Sequence, residues 1–361
     1  GAVKEMGPMR LSVAPFDLVP EFAFNIATGG DLNTSHHVLL CLEYEGLMGM
    51  GEAVPVTMYG QSRAETMAFL ESLRGHDWLK TATPFDMQAF WSWMDTVPGQ
   101  LPAKSALDMA MWDLQGKVLG QPVWRLWGLE TSQPFESAYT IGIDSLDEMQ
   151  RKTELALGRG YTILKLKLGG DTVARDQAIL TSLRQCVPAD VPFWVDANTG
   201  WTFGDFVQLL PVMMDTGVAL IEEPFVAGVG ANRRCEAKHL APMPLVADES
   251  CHTAADVVAV REQVDGINIK LTKCGGLSKA WPIVHTARAC GLQVMLGGFV
   301  ETSLAVTAMA QLAPVADFLD LDAALLSGND PAEGMRWAGS RFTLPDVPGL
   351  GVCLTEPLGF Q

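Results

Sequence analysis

The chain has 361 residues and a mass of 39.0 kDa, enough for two or three domains or for one large α/β barrel with an added unit. Hydrophobic residues make up 48% and charged residues 19%, so a large core can form and intrinsic disorder is excluded. With 25 Lys plus Arg against 42 Asp plus Glu the net charge is −17, which argues against nucleic acid and anionic membrane surfaces as partners.

The first third reads as mixed α+β. Residues 36–44 and 48–54 are strand-like, with Gly46 and Gly49 as punctuation. Ser62-x-x-Glu65 is a capping box that opens a helix through about Leu73. A second helix is predicted from about Lys104 to Leu119, ended by Gly120 and Pro122. The polar stretch Thr131–Glu136 marks a boundary. Beyond it, apolar strands at 137–143, 162–168, 192–196, 218–222, 244–247, 266–270, 292–297 and 316–320 alternate with helical stretches. These include one after the capping box Ser145-x-x-Glu148 and others at 172–185, 203–214, 276–289 and 302–312. Eight strands with seven intervening helices predict a closed parallel barrel. A doubly wound open sheet is the competitor, but no GxGxxG or GxxxxGK[ST] is present, so neither dinucleotide nor P-loop chemistry is supported.

The seven cysteines are odd in number and form no CxxC pair, and the six histidines show no HxH or HExxH spacing. A disulfide framework and a thiolate zinc site are therefore not expected. His36 and His37 should point to opposite faces of a strand. No apolar run approaches the roughly 18–20 residues of a spanning helix. Residues 1–10 lack the apolar core of a signal peptide, and a reducing cytoplasm fits the cysteine usage.

In a barrel of this kind the reactive residues stand at the C-terminal ends of strands. Those ends carry a charged set. Strand two ends Leu164-Lys165-Leu166-Lys167, so both ammonium groups point the same way. Strand three ends in Asp196, strand four in Glu222-Glu223, strand five in Asp248-Glu249 and strand six in Lys270. A single acidic residue at a strand end is usually a helix cap or a solvated loop residue, and Asp248 could cap a helix beginning near Ala254. Five such positions on five consecutive strands do not fit that explanation as a set. Three carboxylates flanked by lysines suit one hard divalent cation such as Mg²⁺.

The segments KLK, VDAN, IEEP, ADES and INIKLTKCGG, in this order, resemble the enolase superfamily in its muconate-lactonizing subgroup. So do Gly51-Glu52-Ala53, AKSALDMAMWDLQGKVLGQP and Gly349-Leu350-Gly351. The resemblance implies a (β/α)7β modified TIM barrel under an α+β capping domain. Residues 1–130 would form the cap, 131–330 the barrel, and 331–361 a segment returning to the cap. It also implies that Asp196, Glu222 and Asp248 hold one Mg²⁺, that Lys167 and Lys270 face the substrate from opposite sides, and that Lys165 is an auxiliary cation beside Lys167. The shared step of the family is removal of a proton α to a carboxylate, giving an enolate. A lysine base needs a pKa near about 7–8, and a neighbouring ammonium or a bound cation acts in that direction.

Residues 139–144, which include Thr140, and Asp320-Leu321-Asp322 after strand eight resemble dipeptide epimerases, whose DxD pair binds the substrate ammonium. Two carboxylates at i and i+2 share a strand face and can hold a cation together. The implied function is epimerisation of an L,L-dipeptide at its C-terminal residue by an isomerase that is cytoplasmic and a homo-oligomer. The alternatives are an N-succinylamino acid racemase, a muconate-type cycloisomerase or an o-succinylbenzoate synthase, and, in a different class, a non-catalytic barrel. Gly297-Gly298-Phe299-Val300-Glu301 departs from the expected Gly-Cys-Met-type pattern and so bears on pocket shape. The capping loop at 16–34 has Asp17, Glu21 and Asp31 but no Lys or Arg, and none occurs between Arg10 and Arg63. Phe22, Phe24 and Ile26 alternate there, and Tyr59 lies in a second capping loop. Phe24, Tyr59 and Phe299 are candidate substrate contacts. A buried anionic side chain needs a cationic partner, so hydrophobic or cationic C-terminal residues are expected over Glu.

Overall fold

The structure is a computed structural model that describes residues 8–22, 27 and 34–361. Three antiparallel strands open the chain: Arg10–Leu18 pairs with Ser35–Tyr44, which pairs with Leu47–Ala53. Glu45 and Gly46 both have positive φ (49° and 79°), the tight turn that suits the twist of a hairpin. The first of these strands was not foreseen. It contains Pro15, which reads as a strand breaker and is tolerated because this strand is an edge.

The helix Leu101–Leu119 packs across the third strand and starts three residues earlier than expected, with Pro102 in its first turn. Gly49 and Gly51 allow this approach. A Cβ on either would collide with the carbonyl of Ala110 or Ala106. The helix is buried on nearly every side, Asp108 and Asp113 included.

The barrel strands run in consecutive parallel order. They are Tyr139–Ile141, Leu164–Lys167, Phe193–Asp196, Val218–Glu222, Leu245–Ala247, Gly266–Ile269, Gln293–Leu296 and Phe318–Leu319. The backbone N–H of Ala138 donates to the carbonyl of Leu319 at 2.9 Å, joining the first strand to the eighth. Most strands are a few residues shorter than the apolar runs that predicted them, while Lys167, Asp196 and Glu222 stay paired in the ladder at its C-terminal edge. Intervening helices include Leu146–Gly158, Val173–Cys186, Phe203–Asp215 and Leu277–Ala289. The C-terminal segment crosses back: Leu350 N–H donates to Asp113 Oδ1 at 2.8 Å, and Gln361 exchanges two backbone bonds with Val13. All seven cysteines are free. No helix among the described residues is long and apolar enough to cross a membrane.

One buried joint ties the N-terminal sheet to the barrel. Glu52, on the third strand, accepts from His37 Nδ1 at 2.7 Å, from Thr302 N–H at 3.0 Å and Thr302 Oγ1 at 2.6 Å, and from Ala305 N–H at 3.1 Å. Thr302 caps the helix Ser303–Ala310, so the carboxylate occupies a helix N-terminus whose first N–H groups lack partners. Burial raises the Glu52 pKa, but His37 and Thr302 outweigh it and hold the group below its usual range. His36 points the other way, exposed against Asp17, as strand alternation requires. Glu52→Ala should cost about 3–5 kcal/mol in chemical denaturation, because it strands His37 and the helix N–H groups without a partner. A loss below about 1 kcal/mol would show that the joint does not couple the two parts.

Candidate active site

A cavity of about 870 Å³ opens at the C-terminal ends of the strands, beneath loops of the N-terminal part. Its floor holds Lys165, Lys167, Lys270, Asn198, Glu249, Asp320 and Asp322, and its upper wall includes Phe22, Val54, Val56 and Met58.

Alternation along Leu164–Lys167 sends both lysines inward while Leu164 and Leu166 pack in the core. Lys165 Nζ lies 3.2 Å from Asp196 Oδ2, 2.6 Å from Glu222 Oε2 and 2.7 Å from Asp320 Oδ2. Burial works against its charge, yet the three carboxylates outweigh this and hold the ammonium well above the usual lysine range. Lys165 is compensated by carboxylates from strands three, four and eight, and it shares Asp196 Oδ2 with Lys167. Lys167 Nζ donates to Asp196 Oδ2 at 2.6 Å and Asn198 Oδ1 at 3.1 Å.

Across the barrel, Lys270 donates to Asp248 Oδ2 at 2.5 Å, and its Nζ stands 4.5 Å from the centre of the Phe299 ring. Burial lowers the Lys270 pKa, but Asp248, Glu222 and Glu249 raise it further. Lys273 grips Asp248 Oδ1 at 2.7 Å and the carbonyls of Asp248, Cys251 and Asn268. Asp248 is not a helix cap, because Thr253 caps Ala254–Val260.

Asp196, Glu222 and Asp248 are at most 1% exposed and sit on adjacent strands, with Asp196 and Glu222 in register. Asp196 and Asp248 resist the effect of burial because Lys167 and Lys270 hold them below the carboxylate range. Glu222 is pushed up to about 7 by burial and by Asp196. Its Oε2 lies within ion-pair distance of Lys165 yet makes no aligned hydrogen bond. Glu249 is pushed up to about 8 by burial and by Asp248, and Asp322 up to about 7 by burial and by Asp320. Among the described residues no three acidic groups or imidazoles yet converge on one point, because ammonium groups lie between them. The balance of charge is the telling feature. Six carboxylates (Asp196, Glu222, Asp248, Glu249, Asp320 and Asp322) meet four lysines (Lys165, Lys167, Lys270 and Lys273). With all six ionised two negative charges would be left over, and that excess is what pushes Glu222, Glu249 and Asp322 up to about 7 or 8. Buried oxygens short of two positive charges fit one hard divalent cation.

Strand eight ends at Leu319, so Asp320 and Asp322 lie beyond it and do not alternate on a strand face as expected. They meet at the cavity by another route. Asp322 begins the short helix Ala323–Leu326 and accepts from Thr140 N–H at 2.6 Å, while Asp320 accepts from Lys165. Asp320 Oδ1 is buried without a partner, which suits an incoming ammonium. Thr140 lines the cavity. Tyr59 packs edge-on against Phe299 and His252, with ring centres 6.0 and 5.0 Å apart, so it backs the wall and does not form it. Phe24, Ile26 and Asp31 lie outside the described residues.

Sequence reasoning gave no role to Asn198, Asn268 or Lys273, and named Glu249 at the end of strand five without assigning it one. Asn198 Nδ2 donates to Glu249 Oε1 at 2.8 Å, and Asn268 Nδ2 to Glu222 Oε1 at 2.9 Å. Asn198, Glu249 and Asn268 each sit one or two residues from a residue that was singled out, and Lys273 sits three from Lys270, so the strand-end rule points to their neighbourhood. Two basic residues of the wall, Arg63 and Lys152, lie outside the 16–34 loop and reach the cavity from elsewhere in the chain. Arg63 pairs with Asp17 and Lys152 with Asp144.

Residues 148–358 match the family model described as enolase C-terminal domain-like, and 17–128 match the mandelate racemase/muconate lactonizing enzyme N-terminal domain. The chain is 35% identical over 348 residues to the L-Ala-D/L-Glu epimerase of Bacteroides thetaiotaomicron, covering 96% of this chain and 88% of that one. It is 34% identical to the hydrophobic dipeptide epimerase of Roseobacter litoralis, covering 91% and 94%. Among solved structures, the dipeptide epimerase of Enterococcus faecalis complexed with Mg and L-Leu-L-Tyr superposes with a TM-score of 0.89 at 28% identity, over 96% of this chain and 99% of that one. Matched along both its parts, the chain belongs to the mandelate racemase/muconate lactonizing enzyme family of the enolase superfamily.

Proposed function

We propose that the protein is a Mg²⁺-dependent dipeptide epimerase that inverts the C-terminal residue of an L,L-dipeptide. One observation carries the reading. Lysines from opposite sides of the barrel and an unbalanced Asp320–Asp322 pair line a single cavity. The dipeptide epimerases to which the chain is similar support it.

In this reading Asp320 and Asp322 hold the substrate ammonium, and their charge fixes which end of the substrate enters. Asp196, Glu222 and Asp248 would be the ligands of the ion. When bound, the ion would offset charge developing on the substrate carboxylate and compete with Lys167 and Lys270 for the oxygens of Asp196 and Asp248. Lys165, held protonated by three carboxylates, supplies a fixed positive charge at the same spot. Lys167 takes the α-proton from one face, and Lys270 returns a proton to the other. The reverse direction exchanges their roles.

The preference for a hydrophobic C-terminal residue follows from the wall. Phe22, Val54, Val56 and Met58 present apolar surface, and Arg63 and Lys152 are already engaged by Asp17 and Asp144.

Chelation should abolish turnover and lower the melting temperature, and added Mg²⁺ should restore both; full activity in chelator would overturn the metal assignment. Lys167→Ala and Lys270→Ala should each abolish interconversion while retaining α-hydrogen exchange from one diastereomer only. A lysine variant that interconverts both isomers at near-normal rate would refute the two-base assignment. A screen of L-Ala-L-Xaa dipeptides should favour apolar Xaa over Glu, and replacing both Asp320 and Asp322 with Asn should lower kcat/KM about a hundredfold or more. Efficient turnover of N-succinyl amino acids, which lack the ammonium, would instead support a racemase of N-acylated substrates.

A further inference from the structure

The two lysines do not stand in equivalent surroundings. On the Lys167 side the neighbour is polar. Asn198 lies just past Asp196 with a positive φ of 43°, and its N–H donates to Asp196 Oδ1 at 2.9 Å. Its side-chain amide has one accepting and one donating end. Glu249 Oε1 accepts from Nδ2 at 2.8 Å, which leaves Oδ1 facing Lys167 Nζ at 3.1 Å. Were the amide reversed, its NH₂ would oppose an ammonium, and two donors would meet. Glu249, from strand five, thus decides which end of Asn198 meets the base on strand two.

On the Lys270 side the neighbour is aromatic. The Phe299 ring lies 4.5 Å from Lys270 Nζ, an attraction between the ring face and the ammonium. Tyr59 packs edge-on behind that ring. The Phe299 backbone N–H donates to Glu301 Oε1 at 3.1 Å, and Glu301 folds so closely under Gly298 that a Cβ there would strike its carboxylate. Phe299 is therefore fixed from behind by Tyr59 and from below by Glu301.

We propose that separate arms aim the two bases, Lys167 by the Asn198–Glu249 amide relay and Lys270 by the Phe299 ring, so that Glu249 and Phe299 are positioning residues, each governing proton transfer at one face. The inference rests on the two-base reading above. It deepens that reading by making each direction of the reaction separately tunable. Misplacing a reacting group by about 1 Å costs on the order of a hundredfold in rate, so the loss of either arm is measurable.

The test uses the Mg²⁺-saturated enzyme in D₂O and follows deuterium wash-in to the uninverted L,L- and L,D-dipeptides by NMR, with Lys167→Ala and Lys270→Ala assigning each diastereomer to its base. Glu249→Leu should shift the ratio of the two wash-in rates at least about tenfold against the Lys167 face. Glu249→Gln removes the same charge beside Lys270 as Glu249→Leu but keeps an accepting oxygen for Asn198, so the relay alone distinguishes the two, and the ratio in Glu249→Gln should lie at least about tenfold nearer the wild-type value. Phe299→Leu and Tyr59→Leu should shift it in the opposite direction. Equal slowing of both faces, which damage to the Asp248 environment or to the fold would produce, overturns the separate arms. So does a shift in the same direction from both. Wild-type inversion that leaves the inverted product free of deuterium, or inversion that survives in either single-lysine variant, overturns the two-base reading and this inference together, and is distinguishable from equal slowing in the positioning variants.

Discussion

The excess of buried carboxylate over ammonium at the mouth of the barrel is the constraint on which the rest of the structure depends. Isolated charges do not survive burial, and pairing accounts for most of those present. Lys165 bridges three carboxylates, while Lys270 and Lys273 share Asp248. What pairing leaves uncompensated appears in Glu222, Glu249 and Asp322, all pushed up to about 7 or 8 by burial and by neighbouring carboxylates. A core under selection for stability alone would replace such groups with apolar ones. Their retention makes sense when a cation and a cationic substrate complete the set.

Holding that set requires rigid supports. Every member lies on a strand end or within four residues of one, and the barrel closes through Ala138 and Leu319 so that strand eight delivers Asp320 beside Lys165 of strand two. The N-terminal part is held over the opening by Glu52, whose carboxylate bonds both to His37 on its own sheet and to the helix that follows strand seven. The helix it caps begins directly after Glu301, which positions Phe299. The joint between the two parts and the surroundings of Lys270 are thus consecutive in the chain.

Much of this was legible in the sequence. The period of two in Leu164–Lys167 announced two inward lysines, and acidic residues closing successive apolar runs announced the barrel rim. Four features were hidden for different reasons. Pro15 masked an edge strand because a proline reads as a breaker until the neighbouring strand is known. Asp320 and Asp322, named from the resemblance, reach the cavity through a turn and not through the shared strand face that their spacing suggested. Lys273 sits three residues from Lys270 in the same motif, and only the turn Leu271–Cys274 shows that it points at the backbone around Asp248. Arg63 and Lys152 are brought to the cavity wall by tertiary contacts that no local pattern encodes.

The most direct measurement is calorimetric titration of the metal-free protein with Mg²⁺ across pH 6–8, in buffers of different ionisation enthalpy. A site whose carboxylates are partly protonated near neutrality must give up protons when a cation takes their place. The account expects one ion per chain, an affinity that rises with pH, and release of about one proton or more per ion near pH 7. Binding that releases no protons and is indifferent to pH, or no binding at all, would contradict it.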